Sequence, residues 1–167
     1  FQTTIDTEVM AYLIARSKTD DIVQAIKNMM RVVKGSYALV IATQHSLIAV
    51  RDPQGIRPLA VGKLDDNFVI ASESCAFDAI DAEFIRDVRP GEIIVIDEDG
   101  FHSHQTNFAD DTALCIFEYV YFARPDSDID GISVCRAREN MGRRLAHACP
   151  VKADLVADVP DSATPAA

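Results

Sequence analysis

The stretch Cys115–Gly142, CIFEYVYFARPDSDIDGISVCRARENMG, changes character three times in under thirty residues. CIFEYVYFA is aromatic and β-branched, a composition that predicts a strand packed on at least one face. RPDSDIDG follows as a polar corner. Pro125 disfavours helix at Arg124, and three aspartates and a glycine suit turns. ISVCRARENMGRRLAHAC then sets Val134, Ala137, Met141, Leu145 and Ala148 on one stripe of a long helix. A strand, an acidic corner and an amphipathic helix make a joint between two bodies.

Upstream of the joint the period switches once. Apolar residues at Val9, Met10, Leu13 and Ile14 predict a first helix, with Thr4 or Asp6 capping its start. Asp20 and Asp21 favour the positive end of a second, whose stripe is Ile22, Ala25, Ile26 and Met29 and whose stop is Gly35. From Ser36 onward β-rich runs follow: SYALVIATQ with SLIAVRD as one hairpin, LAVGKL with NFVIASES as another, then GEIIVIDEDG with FHSHQT pairing back. CAFDAIDAEFIRDV reads as a short helical or irregular cover. Helices grouped apart from antiparallel strands predict an α+β fold. Past the joint, ADLVADVPD reads as the first strand of another domain, suited to a parallel sheet because both faces look buried.

With 167 residues and 49% apolar content, the chain is large enough for an ordinary core. Its formal charge of −10 argues against the phosphate backbone of nucleic acid as a partner. No apolar run is long enough to span a bilayer, and no secretory signal pattern opens the chain. Cys75, Cys115, Cys135 and Cys149 have no CxxC spacing and read as reduced thiols of a cytoplasmic protein. The chain begins at Phe1 rather than methionine and ends in PDSATPAA, so both ends read as cut from a longer polypeptide.

RDPQGIRPL reads as a rigid turn braced by Arg and Asp hydrogen bonds. In ASESCAFD, Ser72, Glu73 and Ser74 are placed to cap the next helix. Asp6 serves either as a helix cap or as a carboxylate for the ammonium of an amino-acid substrate. His102 and His104 share one face of a strand, a pair suited to a metal but with no third ligand evident; a solvated edge strand is the alternative. No nucleophile elbow or phosphate-binding loop is present.

Taken in order, TTIDTEV, GSYALVI, RDPQGIRPL, ASESCAFD, RPGE, EYVYFARPDSDIDGISV, RARENMG and VPDS resemble the amidophosphoribosyltransferase family over essentially the whole chain. RDPQGIRPL with ASES is shared with other class II glutamine amidotransferases, including asparagine synthetases; EYVYFARPDS with RARENMG is far more specific. The resemblance implies an incomplete four-layer αββα N-terminal-nucleophile domain joined to an α/β phosphoribosyltransferase domain. Its expected bounds are 1–123 for the later part of the glutaminase, 124–150 for the joint and its helix, and 151–167 for the start of the transferase.

It implies an enzyme of purine biosynthesis in which an N-terminal cysteine releases ammonia from glutamine. The ammonia then displaces pyrophosphate from phosphoribosylpyrophosphate at a second, magnesium-dependent site. Residue by residue it makes Asp6 the ligand of the glutamine amino group, although Ile5 stands where the family has serine. It places Tyr121 on the interdomain ammonia path. Cys115 matches the first ligand of a 4Fe–4S cluster in the cluster-bearing branch, with a buried inert thiol as the alternative. The nucleophile and the phosphoribosylpyrophosphate loop are not among these residues, so the chain alone is expected to be inactive, and the family implies a homo-oligomer. The rivals are another class II amidotransferase, such as an asparagine synthetase relative, and a non-catalytic binding module of the same fold.

Overall fold

The computed structural model describes residues 4–167 and divides into two compact units. One runs up to Arg57 and resumes at Val88–Leu114; the other comprises Pro58–Asp87 and Cys115–Ala167.

In the first unit two helices, α1 (Asp6–Ala15) and α2 (Ile22–Val32), accompany a four-stranded sheet. Its strands are β1 (Ala38–Ala42), β2 (Leu47–Arg51), β6 (Glu92–Asp97) and β7 (Gly100–Gln105), all antiparallel and in the order β1-β2-β6-β7. Asp21 caps α2, accepting the Val23 amide at 2.9 Å, and Ala25, Ile26 and Met29 of the expected stripe are buried with Met30. Ile26, Met29 and Met30 pack with Met10, Tyr37, Leu39, Ile48, Val50, Ile93 and Val95 into one core. Each large side chain fully removed from water there contributes roughly 1.5–3 kcal/mol. The two hairpins expected from the sequence, β1–β2 and β6–β7, are both present. Helix α1 differs at its start. Its N-cap position is Ile5, which makes no side-chain cap; Asp6 is the first residue of the helix and accepts the adjacent Thr7 amide from there.

The second unit holds a three-stranded antiparallel sheet of β4 (Asn67–Ala71), β3 (Ala60–Leu64) and β5 (Glu83–Asp87), in that order. A four-residue helix, α3 (Cys75–Asp78), puts Phe77 into the small core with Ala60 and Ala82. The β3–β4 hairpin turns at Asp65-Asp66, as expected. β5 was not expected. EFIRD lies within a segment whose short helical beginning hides the strand that follows. After Cys115 come a π-helical turn (Glu118–Phe122), a two-residue hairpin of β8 (Asp128–Ile129) and β9 (Ile132–Ser133), and the long helix α4 (Val134–Ala148). A short 3₁₀ turn, Thr164–Ala166, packs on α4.

CIFEYVYFA is not a strand; its EYVYF is helical with the wider π spacing, shown by the Ala123 amide bonding to the Glu118 carbonyl at 3.0 Å. Tertiary contacts override β propensity, because Tyr119 and Glu118 are buried on one side of the turn and the remaining aromatics face out. ADLVADVPD forms no strand either. Leu155, Val156 and Val159 are exposed, and a parallel strand needs neighbours to bond its backbone. Helix α4 buries Val134 and Arg138, while Leu145, on the expected stripe, is exposed.

Candidate functional site

The RDPQGIRPL turn is braced as expected, by two charges with no solvent exposure. The Arg51 guanidinium donates to the carbonyls of Arg57, Val88 and Gly55 at 2.8, 2.7 and 3.0 Å. The Asp52 carboxylate accepts the amides of Gln54, Ile56 and Arg57 at 3.0, 2.9 and 3.3 Å. Gly55 takes φ +66°, and a Cβ there would lie 2.6 Å from the ring of Pro90. Such geometry builds a rigid loop and uses its polar groups internally. Deeper in the same unit, the Tyr37 hydroxyl is buried with no hydrogen-bond partner among the described residues. Burial, and then the Asp52 charge, hold its phenol above the ordinary tyrosine range.

The corner in the second unit is built by long-range bonds. Glu73, in the loop after β4, accepts the Arg124 amide and the Ser127 hydroxyl on one carboxylate oxygen, each at 2.8 Å. Its neighbour Ser74 accepts the Asp128 amide at 2.7 Å. The ASES serines and glutamate were expected to cap α3; Ser74 occupies the N-cap position but makes no side-chain cap. Glu73 and Ser74 turn instead to the corner. From α4, buried Arg138 donates to the carbonyls of Tyr119 and Ala123, both at 2.7 Å, and the Tyr119 hydroxyl donates to the Ile129 carbonyl at 2.9 Å. Asp130 and Gly131, both at positive φ, close the β8–β9 turn. On the outer side, Arg124 and Asp126 form a two-point ion pair at 3.0 and 2.8 Å. That hydrogen bonding holds the Asp126 carboxyl below its usual range and raises the guanidinium above its own.

Tyr121 stands on the open side of this corner, two-thirds exposed, with its ring 5.9 Å from that of Phe122. Both line a cleft of about 620 Å³ with Ala123, Arg124, Arg138 and Asp161. Cys115 is half-buried at the start of the same segment, and its carbonyl accepts the Glu118 amide. Asp6 belongs to the other unit; it is exposed at the start of α1, where its carboxylate accepts the Thr7 amide at 2.9 Å. His102 and His104 lie on β7, the edge strand, with His102 3.4 Å from Asp97. Among the described residues no three His, Cys, Asp or Glu side chains group to hold a metal.

Arg138 had no role in the sequence reading, and Glu73 was expected only as a cap for α3. Arg138 left one signal, a charge four residues after Val134 on an otherwise apolar helix face. Nothing local pointed Glu73 to the corner, since its partners there lie 51 and 54 residues away.

A family model described as a glutamine amidotransferase domain matches residues 1–79. The glutamine phosphoribosylpyrophosphate amidotransferase of B. subtilis, solved with ADP and GMP, superposes with a TM-score of 0.93 at 46% identity. That match covers 99% of this chain and 36% of the other. The fold is that of the N-terminal-nucleophile glutamine amidotransferases. Within that class, the chain is homologous from end to end to the amidophosphoribosyltransferases. It is 46% identical to that of Bacillus subtilis over 167 residues, 48% identical to that of Mycobacterium tuberculosis over 166, and 46% identical to that of Archaeoglobus fulgidus over 169. These alignments cover 100%, 98% and 100% of this chain but only 35%, 31% and 37% of the relatives, so the chain spans about a third of their length. Neither an asparagine synthetase relative nor a non-catalytic module is favoured. Among the described residues, no helix is long and apolar enough to cross a membrane.

Proposed function

We propose that this chain is part of an enzyme that makes 5-phosphoribosylamine, glutamate and pyrophosphate from phosphoribosylpyrophosphate, glutamine and water. The observation that supports the reading is the end-to-end match at 46% identity, with a TM-score of 0.93 over 99% of the chain. Residues 1–123 would supply the later part of the glutaminase, 124–150 the joint, and 151–167 the start of the phosphoribosyltransferase.

In this reading Asp6 binds the glutamine ammonium, for which an exposed carboxylate at the head of α1 is chemically suited. Tyr121 lines the path of ammonia, and the open aromatic face around it supports that assignment. Magnesium binds with phosphoribosylpyrophosphate through groups outside these residues. Cys115 serves as a cluster ligand only in a protein that supplies three further thiolates, which iron analysis of the full-length protein tests. The enzyme acts in the cytoplasm as a homo-oligomer, a state that sedimentation of the full-length protein reads directly.

The full-length protein should release pyrophosphate from phosphoribosylpyrophosphate only when glutamine or ammonia is present. Asp6→Asn should raise the glutamine KM by about 10- to 150-fold while sparing ammonia-dependent synthesis, because one charged contact to substrate contributes roughly 1.5–3 kcal/mol. Equal losses with both nitrogen sources would remove Asp6 from the glutamine site. None of the four cysteines lies at the start of the sequence, so the 167 residues alone should hydrolyse no glutamine.

A further inference from the structure

We infer that Glu73 is a positioning residue for ammonia transfer, acting through the corner that carries Tyr121; this rests on the function proposed above. Glu73 touches no candidate substrate group. One of its carboxylate oxygens takes two hydrogen bonds from the corner, at the Arg124 amide and the Ser127 hydroxyl. Ser127 is fully buried, so its hydroxyl has no solvent alternative to that carboxylate.

The Arg124 amide lies two residues past Phe122, where the chain leaves the π-helical turn. Arg138 holds the same end from the other direction, at Tyr119 and Ala123. The aromatic wall of Tyr121 and Phe122 is thus fixed from two elements: the loop after β4 and helix α4. On the open side Phe117, Val120, Tyr121 and Phe122 are exposed, with the Phe122 ring 6.2 Å from that of Phe117 and 5.9 Å from that of Tyr121. Remove the carboxylate and the Arg124 amide and the Ser127 hydroxyl lose their acceptor, while the bonds from Arg138 to the turn remain. Its aromatic face then loses its set direction, while the groups that bind glutamine and phosphoribosylpyrophosphate are untouched. The loss therefore falls on the handover of ammonia and spares each half-reaction.

The test uses the full-length enzyme with Glu73→Ala and Glu73→Gln. Three rates are measured: glutamine hydrolysis, glutamine-dependent synthesis, and synthesis from saturating ammonium. In Glu73→Ala, glutamine-dependent synthesis should fall about tenfold or more, as expected for a misplacement near 1 Å, with the other two rates within about twofold. Glu73→Gln keeps an acceptor oxygen and should restore most of the coupling. A common fall in all three rates, or an unchanged ratio of glutamate formed to phosphoribosylamine formed, overturns the inference. Should Glu73→Ala not fold, Ser127→Ala removes one donor from the same oxygen and should uncouple by about threefold; an unchanged ratio there overturns it equally. If the wild-type protein makes no phosphoribosylamine from either nitrogen source, the functional reading itself falls, and the inference with it.

Discussion

Gly55 stands where the chain must turn at φ +66° with the Pro90 ring against its Cα. Alanine there meets two penalties, a left-handed backbone and a rigid neighbour that cannot swing away. Gly55→Ala should lower unfolding stability by about 1–3 kcal/mol, seen as a shifted urea midpoint at constant slope. Tyr37 makes a different case. Its phenol loses its proton more readily in the unfolded chain, near pH 10, than in the fold, where burial and Asp52 oppose ionisation. The folded form thus holds the proton more tightly. That contribution is complete below pH 10 and is lost as pH rises above it. Tyr37→Phe should match or slightly exceed the wild type at pH 7, since the hydroxyl has no partner among the described residues. Above pH 10 the variant should lose stability more slowly, which urea midpoints measured from pH 7 to pH 11 would resolve. Parallel curves would contradict it.

Between elements, the corner depends on Arg138 as a cross-brace. Arg138→Met keeps the aliphatic bulk and leaves two carbonyls, those of Tyr119 and Ala123, without their donors. The cost should be about 2–4 kcal/mol, with faster amide exchange at Ala123 and Val134 than at β6. Uniform exchange over both units would refute the local brace. Local signals in the sequence reach this scale unevenly. The hairpins β1–β2, β3–β4 and β6–β7 were legible because alternation and turn residues specify them within about twenty residues. Helix α2 was legible from its stripe and its Asp21 cap. The π-helical turn was not, because EYVYF has strand composition and its partners Arg138 and Ile129 are distant in sequence. β5 was missed for a related reason: its pairing is with β3, and nothing in EFIRD alone announces that edge. Of the candidate site, the resemblance chose the ligand reading of Asp6 over the cap and supplied Tyr121, whereas the corner partners of Glu73 needed the fold.

Across the whole molecule, the charge of −10 opposes a face of exposed apolar side chains. Ile116, Phe117, Val120, Tyr121 and Phe122 are exposed along one short segment, and Val151, Leu155, Val156 and Val159 beyond α4 are exposed as well. Charge repulsion keeps copies of the isolated chain apart at low ionic strength, and salt shortens its reach from about 10 Å at 0.1 M to about 3 Å at 1 M. Sedimentation of the 167-residue chain should therefore show self-association growing with sodium chloride. Phe117→Ser should weaken that association at every salt concentration. A chain that stays monomeric at 1 M salt would show that this face is not adhesive.

The wide turn at Glu118–Phe122 also bears on how such a segment changes over generations. A π-helical turn carries one residue more per hydrogen-bonded ring than an α-helical one, so the two differ by a single codon inserted or lost. Losing one residue inside EYVYF would close the wide turn to the ordinary helical spacing, since about four residues then complete the revolution that five complete now. The residues on either side would keep nearly their present facing, and the aromatic wall would lose one side chain. Conservative substitution adjusts that wall in place; a change of length thins it in one step.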